Sequence, residues 1–204
     1  RKTSLEVEAY LEPLVTRRDP REFAGRLAQL AGTGARIMMD PELAPAALAL
    51  LIFSQGGKMV DGSDPAKLGR AVKNLVELNG SAVAHVQDGV AVVEFLSWLD
   101  RQPAGTITEI GATQALEAAR AKVGERMQNP LKDISFDTIA GAGEHAAIMH
   151  YRVTTDSDRP IKAGEMFLVD SGAQYVNGTT DITRTLAVGA VSDEQKRFFT
   201  LVLK

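Results

Sequence analysis

Phe167-Leu-Val-Asp170-Ser-Gly-Ala-Gln-Tyr-Val-Asn177-Gly178-Thr-Thr-Asp181-Ile-Thr-Arg-Thr185 carries two aspartates eleven positions apart. Asp170 ends the apolar run Phe167-Leu-Val, and Asp181 precedes the β-favouring run Ile-Thr-Arg-Thr. An Asn-Gly turn signal lies between them. Ionised carboxylates are oxygen donors that also neutralise a cation, so two of them on neighbouring strands suit hard or borderline divalent metals. Carboxylates at the ends of buried strands need compensation, and a metal supplies it. From spacing alone, a turn-starting Asp170 and a surface Asp181 stay open.

The turn decides whether the two side chains meet. A tight hairpin at Asn177-Gly178 would set Asp181 opposite Gln174, leaving Asp170 four residues away, roughly 13 Å. Direct opposition of the two aspartates needs a wider, irregular loop centred near Tyr175-Val176. The expectation is therefore a bend at Asn-Gly inside a longer loop.

Working outward, the region from Ser135 onward reads as strand-like runs broken by Gly and Asn. Upstream the chain is helical. Thr106-Ile-Thr-Glu109 matches a capping box. The helix after it places Ala112, Leu116, Ala119 and Val123 on a buried stripe. The helix before it places Val86, Val90, Val93 and Leu96 on one face. Asp64-Pro65 opens a helix that Asn79-Gly80 interrupts. Further upstream, Ala35–Met39 reads as a strand, and Asp40-Pro41 opens a helix to about Phe53. Gly56-Gly57 stops that helix, and Lys58–Val60 forms a second strand in a parallel βαβ unit. The fold class is α/β (α+β), with a small α/β unit in front of a second domain. One βαβ unit makes a very small sheet, so further strands are expected upstream.

Composition narrows the function. Of 204 residues, 45% are hydrophobic and 24% charged, an ordinary balance for a globular protein. A net charge of −3 and the lack of a basic, aromatic-interleaved cluster argue against nucleic-acid binding. There is no cysteine, which excludes disulfides and thiolate sites and fits a reducing cytoplasm. No apolar run is long enough for a membrane span, and the N-terminus has no signal-peptide pattern. The chain begins at Arg1 and ends in an apolar helix at Phe198–Leu203, so it reads as incomplete at both ends.

His150 follows the apolar Ala-Ala-Ile-Met149 and a Gly-rich stretch. The local sequence fits a substrate-facing donor at a strand end and a bonded structural His equally well. His145 reads as solvent-exposed and His85 as structural.

Phe136-Asp-Thr-Ile139, Gly141-Ala-Gly143, Ile148-Met-His150-Tyr151, Val169–Tyr175 and Gly178-Thr-Thr-Asp-Ile-Thr-Arg-Thr185 occur in the order and spacing of Xaa-Pro aminopeptidases (aminopeptidase P). The helical stretch Lys73-Asn74, Glu77-Leu78, Ala84-His85, Asp88-Gly89, Phe95-Leu96 and Trp98-Leu99 resembles the entry to that family's catalytic domain. The resemblance covers most of the chain. It implies a pita-bread metallopeptidase: residues 1–64 as the end of a creatinase-like N-terminal domain, and 65–204 as the first part of the catalytic domain. It implies release of the residue preceding proline from a peptide's N-terminus, by a hydroxide held between two metal ions. By the same resemblance Asp170 binds one metal and Asp181 bridges two. His150 is the catalytic and substrate-contacting position, with Tyr151 beside it in the substrate site. Thr183 is expected to support Asp181. Manganese suits the oxygen-rich ligands, and zinc or cobalt can occupy such sites. A homodimer is implied for the full-length protein.

Departures are Asn177, where the family commonly has Asp, and the surroundings of His145, where Gly or Asn is usual. The family's remaining ligands, a His and two Glu, would lie beyond Lys204, so this chain alone is expected to be inactive. Xaa-Pro dipeptidase, a creatinase-like amidinohydrolase and a non-catalytic pita-bread binding module are the alternatives.

Overall fold

The βαβ expectation holds in the first part of the chain. Arg36–Met39 (β1) and Lys58–Asp61 (β2) pair in parallel, Arg36 against Lys58 through Met39 against Asp61. The structure, a computed structural model, describes residues 3–204. Its contacts divide it into two units, the described residues up to Lys73 and Asn74–Lys204.

In the first unit, helices Leu5–Leu11 (α1) and Phe23–Gly32 (α2) precede β1, and Ala46–Ser54 (α3) connects β1 to β2. The connecting helix starts later than expected. Asp40 does not cap it. Its carboxylate instead accepts the backbone N–H groups of Glu42 and Asp64, each at 3.0 Å. The Asp64 bond is the main reason its pKa is lowered. Gly57 must be glycine for packing reasons. A Cβ there would lie 2.8 Å from Ala31 Cβ and 2.9 Å from Ile52 Cγ2. Asp64 caps Pro65–Ala71 (α4) by accepting from Ala66 N–H at 2.8 Å, as expected.

The second unit opens on Leu75–Asp100 (α5), one uninterrupted helix. The break falls at Val72-Lys73 rather than at Asn79-Gly80. Asn74 and Glu77 form the capping box, each side chain accepting the other's backbone N–H. Gly80 serves another purpose. A Cβ there would come 2.3 Å from the Asn177 carbonyl oxygen, so the glycine lets the helix approach the hairpin turn.

The buried face of α5 is Ala84, Gln87, Asp88, Ala91, Val92 and Phe95. The expected valine stripe points elsewhere, with Val86 67% and Val93 64% exposed. Helix Glu109–Arg126 (α6) buries Ala112, Leu116 and Val123 as expected, with Ala119 partly buried. Its cap is Thr108, which accepts from Gly111 N–H at 3.1 Å. Thr106 instead donates to the Pro103 carbonyl, and Glu109 is fully buried, so the expected capping box does not form.

Beyond α6 lie Asp133–Ile134 (β3), Ile139–Ala142 (β4), Met166–Ser171 (β5), Ala173–Gln174 (β6), Ile182–Ala187 (β7) and Asp193–Leu203 (α7). The strands β4-β5-β7 form an antiparallel sheet, and β3 pairs with β6. Ala140, Ala142, Phe167 and Val169 point from the sheet into one core with Val92, Phe95, Ala112 and Leu116 of the helices. Side chains alternate along a strand, so Leu168 and Asp170 face the other way. Helix α7 reaches one end of that opposite face, lining a pocket with Met166, Thr185 and Ala187. No described helix is long and apolar enough to cross a membrane.

Candidate metal centre

Strands β5 and β7 pair in register, Asp170 opposite Thr183 and Ser171 opposite Ile182. The same register continues to the tip. Thr180 N–H donates to the Ala173 carbonyl at 2.9 Å, Gln174 bridges Thr179, and Tyr175 N–H donates to the Gly178 carbonyl at 2.9 Å. The turn is therefore Val176-Asn177, one position before the Asn-Gly dipeptide. The tight Asn-Gly hairpin that would have separated the aspartates does not form. The wide loop expected in its place does not form either. It is not needed, because the pleat repeats every two residues. Asp181 lies two positions from Thr183 and so shares a face with Asp170, as its diagonal neighbour. Such neighbours are roughly 7–8 Å apart at Cα and less at Cβ. Two carboxylates at that spacing can serve one pair of cations.

Asp170 is half-buried and Asp181 exposed. Thr183 Oγ1 donates to Asp170 Oδ1 at 2.7 Å, so Thr183 orients Asp170 rather than Asp181. Neither aspartate is paired with a Lys or Arg among the described residues. Among the described residues no cationic side chain compensates their negative charge, and this donor set fits a divalent metal. It is a partial set: no group of three or more His, Asp or Glu with metal-site geometry occurs among the described residues.

The segment bearing His150 is not a strand. Gly143–Ala147 is a 3-10 turn, and a Cβ on Gly141 would lie 2.8 Å from the His145 carbonyl carbon. Gly141 pairs with Leu168 and so points to the face that carries Asp170. The turn therefore straps that face. His150 is exposed and has φ 55°, an uncommon conformation for a non-glycine residue. Tyr151 faces inward. It is 7% exposed, and its hydroxyl donates to Glu109 Oε2 at 3.0 Å. Burial is the first cause of its raised pKa. His145 is also not the exposed residue expected. Its Nδ1 is 2.9 Å from Glu109 Oε1, and its ring stacks on Tyr151 at 4.5 Å. Ala142 N–H donates to the same carboxylate at 2.7 Å. Exposed His85 bonds its own helix at the Ser81 carbonyl.

The buried roles of Glu109, Asp88 and Arg120 escaped sequence reasoning. Asp88 and Arg120 are fully buried and bonded at 2.7 and 3.0 Å. Their signal was a charge in phase with buried apolar residues: Asp88 with Ala84 and Ala91, Arg120 with Leu116 and Val123.

The metallopeptidase family M24 matches residues 80–204. A probable Xaa-Pro aminopeptidase P of Metarhizium acridum (strain CQMa 102) is 43% identical over 151 residues, 72% of this chain and 24% of the relative. One from Aspergillus oryzae (strain ATCC 42149 / RIB 40) is 35% identical over 189 residues, 91% of this chain and 28% of the relative. Among solved structures, the Caenorhabditis elegans X-prolyl aminopeptidase, described as a cytosolic enzyme with a di-nuclear active site, matches with TM-score 0.80 and 28% identity, over 95% of this chain and 32% of its own. The X-Pro aminopeptidase of Thermotoga maritima MSB8 matches with TM-score 0.61 and 26% identity, over 93% and 50%. The chain spans about a quarter of the length of the curated relatives it matches. The fold is that of part of a pita-bread peptidase.

Proposed function

The chain belongs to metallopeptidase family M24, and we propose that it is part of a metal-dependent aminopeptidase that releases the residue preceding proline from a peptide's N-terminus. The observation that carries this reading is the hairpin register, which puts Asp170 and Asp181 on one face. Asp170 would hold one divalent ion and Asp181 would bridge two. Manganese is preferred for the carboxylate oxygens, with zinc or cobalt as substitutes. Such ions, when bound, acidify water and stabilise a developing oxyanion. Thr183 holds Asp170 in place, and His150, carried on the strap over the same face, contacts the peptide near the bond to be cleaved. Tyr151 positions the strap through Glu109.

Residues 1–64 are assigned to the end of a creatinase-like N-terminal domain and 65–204 to the first part of the catalytic domain. A cytoplasmic location and a homodimeric full-length protein belong to the same proposal, the former supported by likeness to the nematode enzyme.

The full-length protein with manganese is expected to release the first residue from an Xaa-Pro-Xaa tripeptide as well as from an Xaa-Pro dipeptide. Asp170→Ala or Asp181→Ala reduces release to background. Cleavage of the dipeptide alone would assign a dipeptidase instead. The 204-residue chain by itself is expected to bind manganese weakly and hydrolyse neither peptide, because two carboxylates leave most coordination positions open. Manganese-dependent release by that chain alone would overturn this expectation.

A further inference from the structure

The fully buried Asp88–Arg120 pair lies behind the hairpin, on the face opposite Asp170 and Asp181. Asp88 comes from α5 and Arg120 from α6. Arg120 Nε and Nη2 donate to the two Asp88 oxygens at 2.7 and 3.0 Å. Three further groups reach the pair, all from the hairpin. Arg120 Nη2 also donates to Ser171 Oγ at 3.1 Å. Thr180 Oγ1 donates to Asp88 Oδ2 at 2.7 Å. The Tyr175 hydroxyl donates to Asp88 Oδ1 at 3.2 Å. Ser171 directly follows Asp170, and Thr180 directly precedes Asp181. Each aspartate is thus one residue from a side chain tied to the same buried pair.

Stability alone does not account for this arrangement. A buried ion pair is often matched or exceeded in stability by apolar side chains of equal volume. Arg120 Nη1, moreover, is buried without a hydrogen-bond partner among the described residues. Apolar packing is also non-directional, whereas these hydrogen bonds fix both strands at defined points. Neighbouring residues in a strand face opposite ways, so fixing Ser171 and Thr180 on the inner face fixes where Asp170 and Asp181 project on the outer one.

We infer that Asp88 and Arg120, acting through Ser171 and Thr180, are positioning residues that set the separation of the two metal-binding aspartates. The inference rests on the proposed metal centre. It is tested in the full-length protein by manganese titration calorimetry and by electron paramagnetic resonance, which separates spin-coupled ion pairs from single ions. Thr180→Val keeps the shape and removes the hydroxyl, whereas Thr180→Ser keeps the hydroxyl. Val123→Ala, a core change on α6 outside this network, is the control for lost stability.

The expected result is that Thr180→Val weakens binding of the second ion about 10- to 100-fold, the range for groups that orient metal ligands. The spin-coupled signal then gives way to that of a single ion. Thr180→Ser retains coupling, and Val123→Ala lowers the melting temperature without changing the coupling. Coupled binding by Thr180→Val at native affinity would overturn the inference and leave the metal centre standing. If the unaltered protein binds no manganese, the proposed function falls and this inference falls with it.

Discussion

Tyr175 sits at the tip of the hairpin, 2% exposed, with its hydroxyl against a carboxylate that is itself fully buried. Burial first, and then the Asp88 charge, push its pKa from 10.0 up to about 12. The folded state therefore favours the neutral phenol. That contribution is complete below about pH 10, where the unfolded chain also keeps its proton, and is lost as the pH rises through about 12. A shift of this size corresponds to about 3 kcal/mol. Denaturant titrations of the unaltered protein and Tyr175→Phe should differ by a constant amount up to about pH 10. Above it, the unaltered protein should lose its advantage. A difference constant to pH 12 would mean that the phenol titrates as if in water. Gly172 is constrained as tightly as Tyr175. A Cβ there would stand 2.0 Å from the Thr180 carbonyl oxygen and 2.1 Å from Ser135 Oγ, so Gly172→Ala must force the strands apart beside both aspartates.

Helix α6 and the strap from Gly143 to Tyr151 are joined by the Glu109 carboxylate, which has bonds from Ala142 N–H, His145 Nδ1 and the Tyr151 hydroxyl. Glu109→Ala leaves all three groups buried or half-buried without that partner. The Tyr151 hydroxyl keeps Ser157 Oγ, but Ala142 N–H and His145 Nδ1 are orphaned at about 1–3 kcal/mol each, so a loss of roughly 2 kcal/mol or more is expected in chemical denaturation. Proteolysis within 143–151 should also speed up, and Glu109→Gln, which keeps an acceptor, should recover part of both. Unchanged cleavage in Glu109→Ala would show that the strap is held by packing alone. This network also marks the limit of what the sequence revealed. Strands β1, β2, β5 and β7 were legible because short apolar or β-favouring runs beside Gly and Asp admit few alternatives. The stripe of α6 was legible because Ala112, Leu116 and Val123 keep helical spacing. The inner face of α5 was not, because it starts with Ala84, Gln87, Asp88 and Ala91 while the larger Val86 and Val93 face outward. The start of α5 has a signal in the Asn74 and Glu77 capping box, but Asn79-Gly80 reads as a helix stop inside it. The two aspartates were readable from the motif, but the turn that brings them together was not, because the Asn-Gly signal lies one position past the Val176-Asn177 turn. The buried partners of His145 and Tyr151 were not, since those bonds join positions 36 and 42 residues apart.

At the scale of the chain, the second unit has one well-packed face and much exposed apolar surface. Helices α5 and α6 cover the sheet on the side of Phe167 and Val169. On α5, Val86 and Val93 are exposed, and so are Leu75 and Val76 in its first turn; on α7, Phe198, Val202 and Leu203 are exposed. Where exposed apolar side chains are contiguous, they mark interfaces in folded proteins. A net charge of −3 over 204 residues offers little repulsion to oppose association. The isolated chain is therefore expected to self-associate at tens of micromolar and to bind a hydrophobic dye, with near-ultraviolet dichroism retained because the core is intact. Paired substitutions Val86→Glu and Val93→Glu, and separately Phe198→Glu and Val202→Glu, should each reduce the sedimenting mass without lowering helix content. The pair with the larger effect identifies the stickier surface. A chain that sediments as a monomer at every concentration, with no dye bound, would show that these side chains are too scattered to form a continuous patch.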